Sequence, residues 1–233
     1  MNTFKKGLKD GIPIALGYIS VSFTFGLQGV SMGLTWWQAF MISLTNLTSA
    51  GQFAGLEIML RGGGLFVEMA CTQLVINLRY ALMSLSLSQK MDESLTGIHR
   101  WLVGFGITDE IFAVAAGQKE DVGRSYMYGL ILLPLCGWVG GTLLGAVAGQ
   151  LLPAAIRNAL GIAIYAMFIA IIIPPAKKNR AILKVVALAV LLSCGFHWLP
   201  VLNRVSSGFV IIICAVVAAA FGALVFPVQE DEA

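Results

Sequence analysis

Hydrophobic runs broken by short polar interruptions follow one another along almost the whole chain. They cover about 11–30, 38–60, 65–88, 101–118, 125–149, 158–173, 182–199 and 206–226. A helix needs about 20 apolar residues to cross a bilayer, so most of these runs are long enough. The pattern predicts an all-α integral membrane protein, a polytopic helical bundle with about seven to eight spans. A single transmembrane domain is expected over 1–233, with a short basic lead at 1–10 and an acidic tail at 229–233.

The polar positions inside these runs are not scattered. In the third run, Gln73, Asn77, Tyr80, Ser84 and Ser88 share one helical face by i,i+3/i+4 spacing, and Arg79 points away from that stripe. A charge at mid-membrane costs about 3 kcal/mol on insertion scales unless something compensates it. The second run carries Thr45, Asn46, Thr48, Ser49, Gly51 and Gln52, and Gly51 and Gly55 permit a break, so a broken helix is expected around 45–55. The fourth carries Gly104, Gly106, Thr108, Asp109 and Glu110. Here a second break is expected around 104–112, with Thr108 capping a new half-helix and both carboxylates in its first turn. Gly137, Gly141, Gly145 and Gly149 form a small-residue stripe on the fifth run, a groove for another helix of this chain or of a partner.

A helical rise of 1.5 Å per residue puts Arg79, Asn46 and the Asp109–Glu110 pair all roughly 12–14 Å from the outer membrane boundary. They therefore share one layer near the midplane. Opposite charge at common depth predicts an ion pair between Arg79 and Asp109 or Glu110, leaving the other carboxylate free to exchange a proton. One reading gives the pair no more than a bundle-holding part. The other makes the layer a substrate or ion site lined by Asn46, Thr48, Ser49, Gln52, Gln73, Asn77, Tyr80 and Thr108. Gln73 and Asn77 suit a zwitterion or a helix-bridging hydrogen bond equally, and Tyr80 is equally a packed aromatic. Glu57 and Glu68 lie nearer the inner face and read as snorkelling or capping groups. His197 beside Trp198, and the Trp36–Trp37 pair, read as interfacial. The segments TSAGQFA (48–54) and TDEIFAV (108–114) each place Phe-Ala after a polar cluster, as an internal repeat or by chance.

Composition narrows the class. The chain is 58% hydrophobic and only 12% charged, with mean hydropathy +0.85. About 25% charged residues would be usual for a soluble domain. The net charge of +3 gives no case for nucleic acid. Lys5, Lys6, Lys9, Arg61, Lys119, Arg124, Lys177, Lys178, Arg180 and Lys184 fall on one side of an eight-span layout. That bias places the N-terminus on the cytoplasmic side of a multi-pass protein surrounded by lipid. No cleavage site follows the basic head, so the first span is expected to be retained. Cys71, Cys136, Cys194 and Cys214 show no metal-ligand spacing and read as small buried hydrophobes. No metal, cofactor or catalytic residue is expected, because GxSxG, HExxH and Walker-type motifs are absent from the sequence. Carrier, channel and assembly subunit remain as classes. Polarity peaks at midspan and fades both ways, which favours alternating access over a continuous conduit.

The Asn77-Leu-Arg79-Tyr80 run, Gln52-Phe53, Thr108-Asp109-Glu110 followed by Phe112-Ala113, and Gly137-Trp138 with Gly141 and Gly145 together resemble the AzlC-type family. Its members are large subunits of branched-chain amino acid exporters. The resemblance spans nearly the whole chain. Gly51 stands where that family commonly has Ala, and Ile107 where Leu is frequent. Neither change removes a functional group. The resemblance implies a transporter domain, a permease of the bacterial inner membrane exporting leucine, isoleucine, valine and methionine. It also implies protons as coupling ion and a small AzlD-type membrane subunit as partner. Export of another small zwitterion, or a channel-like conduit for a small polar solute, is the alternative.

Overall fold

The computed structural model describes residues 3–61, 65–151, 153, 169, 172–200 and 202–227. Its helices are α1 (Phe4–Ser31), α2 (Trp36–Thr45), α3 (Ser49–Arg61), α4 (Phe66–Ser88), α5 (Ile98–Phe105), α6 (Asp109–Ala116), α7 (Arg124–Leu151), α8 (Arg180–Trp198) and α9 (Ser207–Val225). Residues 172–178 are also helical. The all-α reading therefore holds for the described residues, with one isolated bridge between Met91 and Val122.

Local chemistry sets the helix ends. Thr3 caps α1 by accepting the Lys6 N–H. Gly33 takes φ +110° in the turn that follows, a conformation L side chains resist. Thr35 and Gln38 then form a reciprocal capping box at the start of α2. Trp36 and Trp37 lie exposed in its first turn.

Two compact units emerge from the packing. The first takes in the described residues of Met1–Phe53 and Asn77–Ile164. It is built on α1 and α7, which run parallel over their full lengths. A Cβ on Gly7 would strike the Tyr126 carbonyl, one on Gly137 would lie 2.7 Å from the Ala15 carbonyl, and one on Gly145 would strike the Phe23 carbonyl. The glycine stripe is thus filled by α1 of the same chain. Without a hydrophobic driving force in lipid, such backbone-to-backbone approach is what dispersion packing requires. Buried Ser22 sits in the seam and donates to the Tyr18 carbonyl at 2.7 Å. Around this pair Ile14, Tyr18, Leu47, Ile107, Ile111, Tyr126 and Trp138 form the core.

The second unit takes in the described residues of Ala54–Ile76 and Tyr165–Ala233. Its buried polar centre is Glu68, 4% exposed. Glu68 accepts the Gly208 N–H at the start of α9 at 2.8 Å and pairs with Arg61 at 3.1 Å. Arg61 also donates to Ser207. Glu68 therefore does not snorkel: it is a buried cap on a different helix. Lys184 of α8 reaches over the Phe226 ring.

Four helices among the described residues, α1, α7, α8 and α9, are individually long and apolar enough to cross a membrane, not seven to eight. The second and fourth runs fall short because each is split into two helices, α2/α3 and α5/α6. The third, α4, carries Glu68, Gln73, Asn77 and Arg79. Nearly all of the run at 158–173 and the whole of the tail at 229–233 lie outside the described residues. The cysteines need correction too: all four are free thiols, Cys136 is exposed and the other three are only partly covered.

Candidate functional site

Both expected breaks are present in the first unit and are built alike, but the first falls at 46–48, and Gly51 and Gly55, the glycines expected to permit it, lie inside α3. At the first, α2 ends at Thr45 and Asn46 turns extended, φ −146° and ψ 119°. The Asn46 side chain accepts the Thr48 N–H at 3.3 Å, and Thr48 Oγ1 accepts the Gly51 N–H at 3.4 Å, so α3 begins with a threonine cap. Gln52 ties the break shut. Its amide donates to the Asn46 carbonyl at 2.8 Å and to Ser43 Oγ at 3.2 Å, and Ser43 is 2.7 Å from Thr142 Oγ1 of α7. Ser43, Thr48, Gln52 and Thr142 are all buried. This is a closed, neutral network in which each polar side chain has a partner, as burial demands.

At the second break α5 ends at Phe105, Gly106 closes the turn, and Thr108 is extended with its Oγ1 accepting the Ile111 N–H. Asp109 and Glu110 occupy the first turn of α6, where the helix dipole favours negative charge. Arg79 Nη1 lies 2.7 Å from Asp109 Oδ2, so of the two carboxylates Asp109 takes the arginine. The pair is half-exposed, at 47% and 44%, and not sealed in the core. Arg79 also stacks over the Tyr80 ring at 5.0 Å and donates to the Tyr80 hydroxyl at 3.3 Å. Tyr80 in turn donates to Thr48 Oγ1 at 3.3 Å. A continuous polar chain thus runs from Asp109 at the head of α6, through Arg79 and Tyr80, to Thr48 at the head of α3.

Glu110 is not left free, as the sequence reading expected. Its Oε2 is 2.6 Å from the Tyr18 hydroxyl, which also lies 2.5 Å from Thr108 Oγ1. Tyr18 is buried and meets the Trp138 ring edge-on at 5.3 Å.

Between the two breaks is a cavity of about 140 Å³. Thr45, Asn46, Leu47 and Thr48 line it from the first break, Gly104, Phe105 and Ile107 from the second, and Asn77 and Tyr80 from α4. Of the residues singled out from sequence, Asn46, Thr48, Asn77 and Tyr80 meet at this cavity. Ser49, Gln52, Gln73 and Thr108 do not line it. Gln52 is used in closing the first break and Thr108 in capping α6. Gln73 stands in the second unit beside Gly55, with its amide 3.8 Å from Met69 Sδ. The sequence reading passed over Tyr18, Ser43 and Thr142, and used Trp138 only as part of the family resemblance. Tyr18 had a signal: it is one of only 5 tyrosines, placed well inside the first apolar run.

The AzlC protein family matches residues 13–152, more than half of the chain and the whole of this site. An uncharacterized membrane protein of Archaeoglobus fulgidus is 32% identical over 89% of this chain and 89% of its own length. The inner membrane protein YgaZ of Escherichia coli is 30% identical over 80% of this chain and 78% of its own. An uncharacterized membrane protein of Helicobacter pylori is 27% identical over 64% of this chain and 68% of its own. No solved structure matches. Proteins of this type are multi-pass transporters of the inner membrane and not enzymes. By the family match and by these relatives, the chain belongs to the AzlC family of membrane transport proteins.

Proposed function

We propose that the chain is a secondary transporter that exports branched-chain and other hydrophobic amino acids, leucine, isoleucine, valine and methionine, driven by protons and working with a small AzlD-type membrane subunit. The observation that carries this reading is the position of the cavity: it lies where two helices break, facing Asn77 and Tyr80. Family membership supports transport of small hydrophobic solutes. A comparable cavity of about 150 Å³ holds benzene, so the volume suits a branched aliphatic side chain better than a large solute. Leu47, Phe105 and Ile107 offer it apolar walls.

The zwitterionic end matches the polar parts. The head of α3 bears partial positive charge suited to a carboxylate, and the carboxyl-terminal ends of α2 and α5 bear partial negative charge suited to an ammonium. Ser49, Gln52 and Thr108 then support the site from outside its lining, and Arg79, Asp109 and Glu110 form its charged flank. The parallel course of α1 and α7 fits a chain that returns, between them, to the side on which it started. With the basic clusters on the cytoplasmic side, both helices run outward.

Labelled-leucine counterflow into leucine-loaded proteoliposomes tests the proposal. Accumulation that depends on internal leucine is expected when the small subunit is co-reconstituted. Absence of counterflow with leucine, isoleucine, valine and methionine, with and without that subunit, would overturn it.

A further inference from the structure

Tyr18, Thr108 and Glu110 present more oxygen contacts than one tyrosine proton can serve. The Tyr18 hydroxyl is 2.5 Å from Thr108 Oγ1 and 2.6 Å from Glu110 Oε2, and it has one hydrogen to donate. Thr108 Oγ1 already accepts the Ile111 N–H at 3.4 Å. Two arrangements satisfy these distances. With Glu110 ionised, a carboxylate only accepts, so Tyr18 donates to Glu110 and Thr108 donates to Tyr18. With Glu110 protonated, its O–H donates to Tyr18, and Tyr18 turns its own hydrogen to Thr108. The threonine then accepts twice, and its hydrogen loses the tyrosine as acceptor.

From this geometry we infer that Glu110, not Asp109, is the proton-carrying carboxylate, and that Tyr18 is a positioning residue that relays its protonation state to the cap of α6. The inference rests on the transport reading above and deepens it. The groups around Glu110 divide the labour between the two acids. Asp109, beside it on α6, is matched by Arg79 of α4, which also engages Tyr80. The cation therefore stands on Asp109. From α1, Glu110 meets the neutral phenol of Tyr18, and α7 contributes uncharged Trp138 behind that phenol. Glu110 is exposed on its other side while Tyr18 and Thr108 are buried, so the carboxylate can take up a proton from outside the packed core. The only bond formed is the O–H on Glu110; the Tyr18 and Thr108 hydrogens reorient without transfer. Thr108 adjoins Ile107, which lines the cavity, so the reversal is felt where the solute sits.

Infrared difference spectra of the lipid-reconstituted protein between acid and alkaline pH test the relay without any transport. In the wild type a carboxylic C=O band and a tyrosine C–O band are expected to change together. Glu110→Gln should lose both, and Tyr18→Phe should lose the tyrosine band and keep the carboxyl band. Tyr18→Phe retains the ring against Trp138 and removes only the hydroxyl. In counterflow it should move the midpoint of the pH profile upward by about one unit, because a hydrogen bond to a charged acceptor is lost. A tyrosine band that persists in Glu110→Gln, or a Tyr18→Phe profile that superimposes on the wild type, overturns the relay. If the wild type gives the paired bands but moves none of the four amino acids, the transport reading fails and the relay stands.

Discussion

The two helix breaks share a design and differ in charge. Each ends a short helix, passes through extended backbone and restarts on a threonine, Thr48 or Thr108, whose hydroxyl caps the next half-helix. The first is closed by neutral groups, with Gln52 holding Ser43 and the Asn46 carbonyl. The second carries two carboxylates, one matched by Arg79 and one by Tyr18. A neutral network keeps its geometry across the physiological pH range; one with carboxylates can change with proton uptake. On the function proposed above, the first break would serve as the fixed wall of the cavity and the second as the wall that responds; the Arg79–Tyr80–Thr48 chain ties the two together.

The largest expected effect comes from breaking the fixed wall. Gln52→Leu leaves the Asn46 carbonyl and Ser43 short of their donor inside the core, a loss of about 1–3 kcal/mol, read as a lower thermal unfolding midpoint in detergent. Next is the link between the walls. Arg79→Glu should lower counterflow at least about tenfold, equivalent to about 1.4 kcal/mol, and Arg79→Glu combined with Asp109→Arg should recover part of it. Because the pair is half-exposed, its contribution to stability is at most about 1 kcal/mol; a loss of folded protein in place of lost transport would contradict this division. Thr108→Ala removes both a cap and the Tyr18 contact. It should cost about 1 kcal/mol in stability and also alter the pH profile, whereas Thr48→Ala should cost a similar amount and leave the profile unchanged. Ser49→Ala, next to the first break but outside the cavity lining, is the smallest, within about 0.5 kcal/mol.

Much of this arrangement was legible in the sequence. Asn46, Gly106, Thr108 and the adjacent carboxylates are polar or flexible groups where an apolar run demands neither, and the structure breaks its helices there. Common depth pointed to a partner for Arg79 on α6. The α1–α7 seam was half legible: the glycine stripe identified a groove, but a stripe does not name its occupant. Periodicity on α4 placed Gln73 and Asn77 on one face, yet a helical face says nothing about where along its length a cavity opens. Only Asn77 and Tyr80 reach it. Tyr18 was missed because a tyrosine amid Gly17 and Ser20 reads as ordinary packing, and its partner lies 92 residues away. For Glu68 the sequence left snorkelling and capping open, because the cap it makes is on Gly208, 140 residues on.

The most direct test of the cavity as the amino acid site is substrate protection of a single thiol. Thr45→Cys, in a protein whose Cys71, Cys136, Cys194 and Cys214 are replaced by serine, places a reactive group on the cavity lining. Leucine should slow its alkylation by a small maleimide in a concentration-dependent way, and glycine, lacking a side chain for the apolar walls, should protect far less. Alkylation at the same rate with and without saturating leucine would contradict the assignment of this cavity.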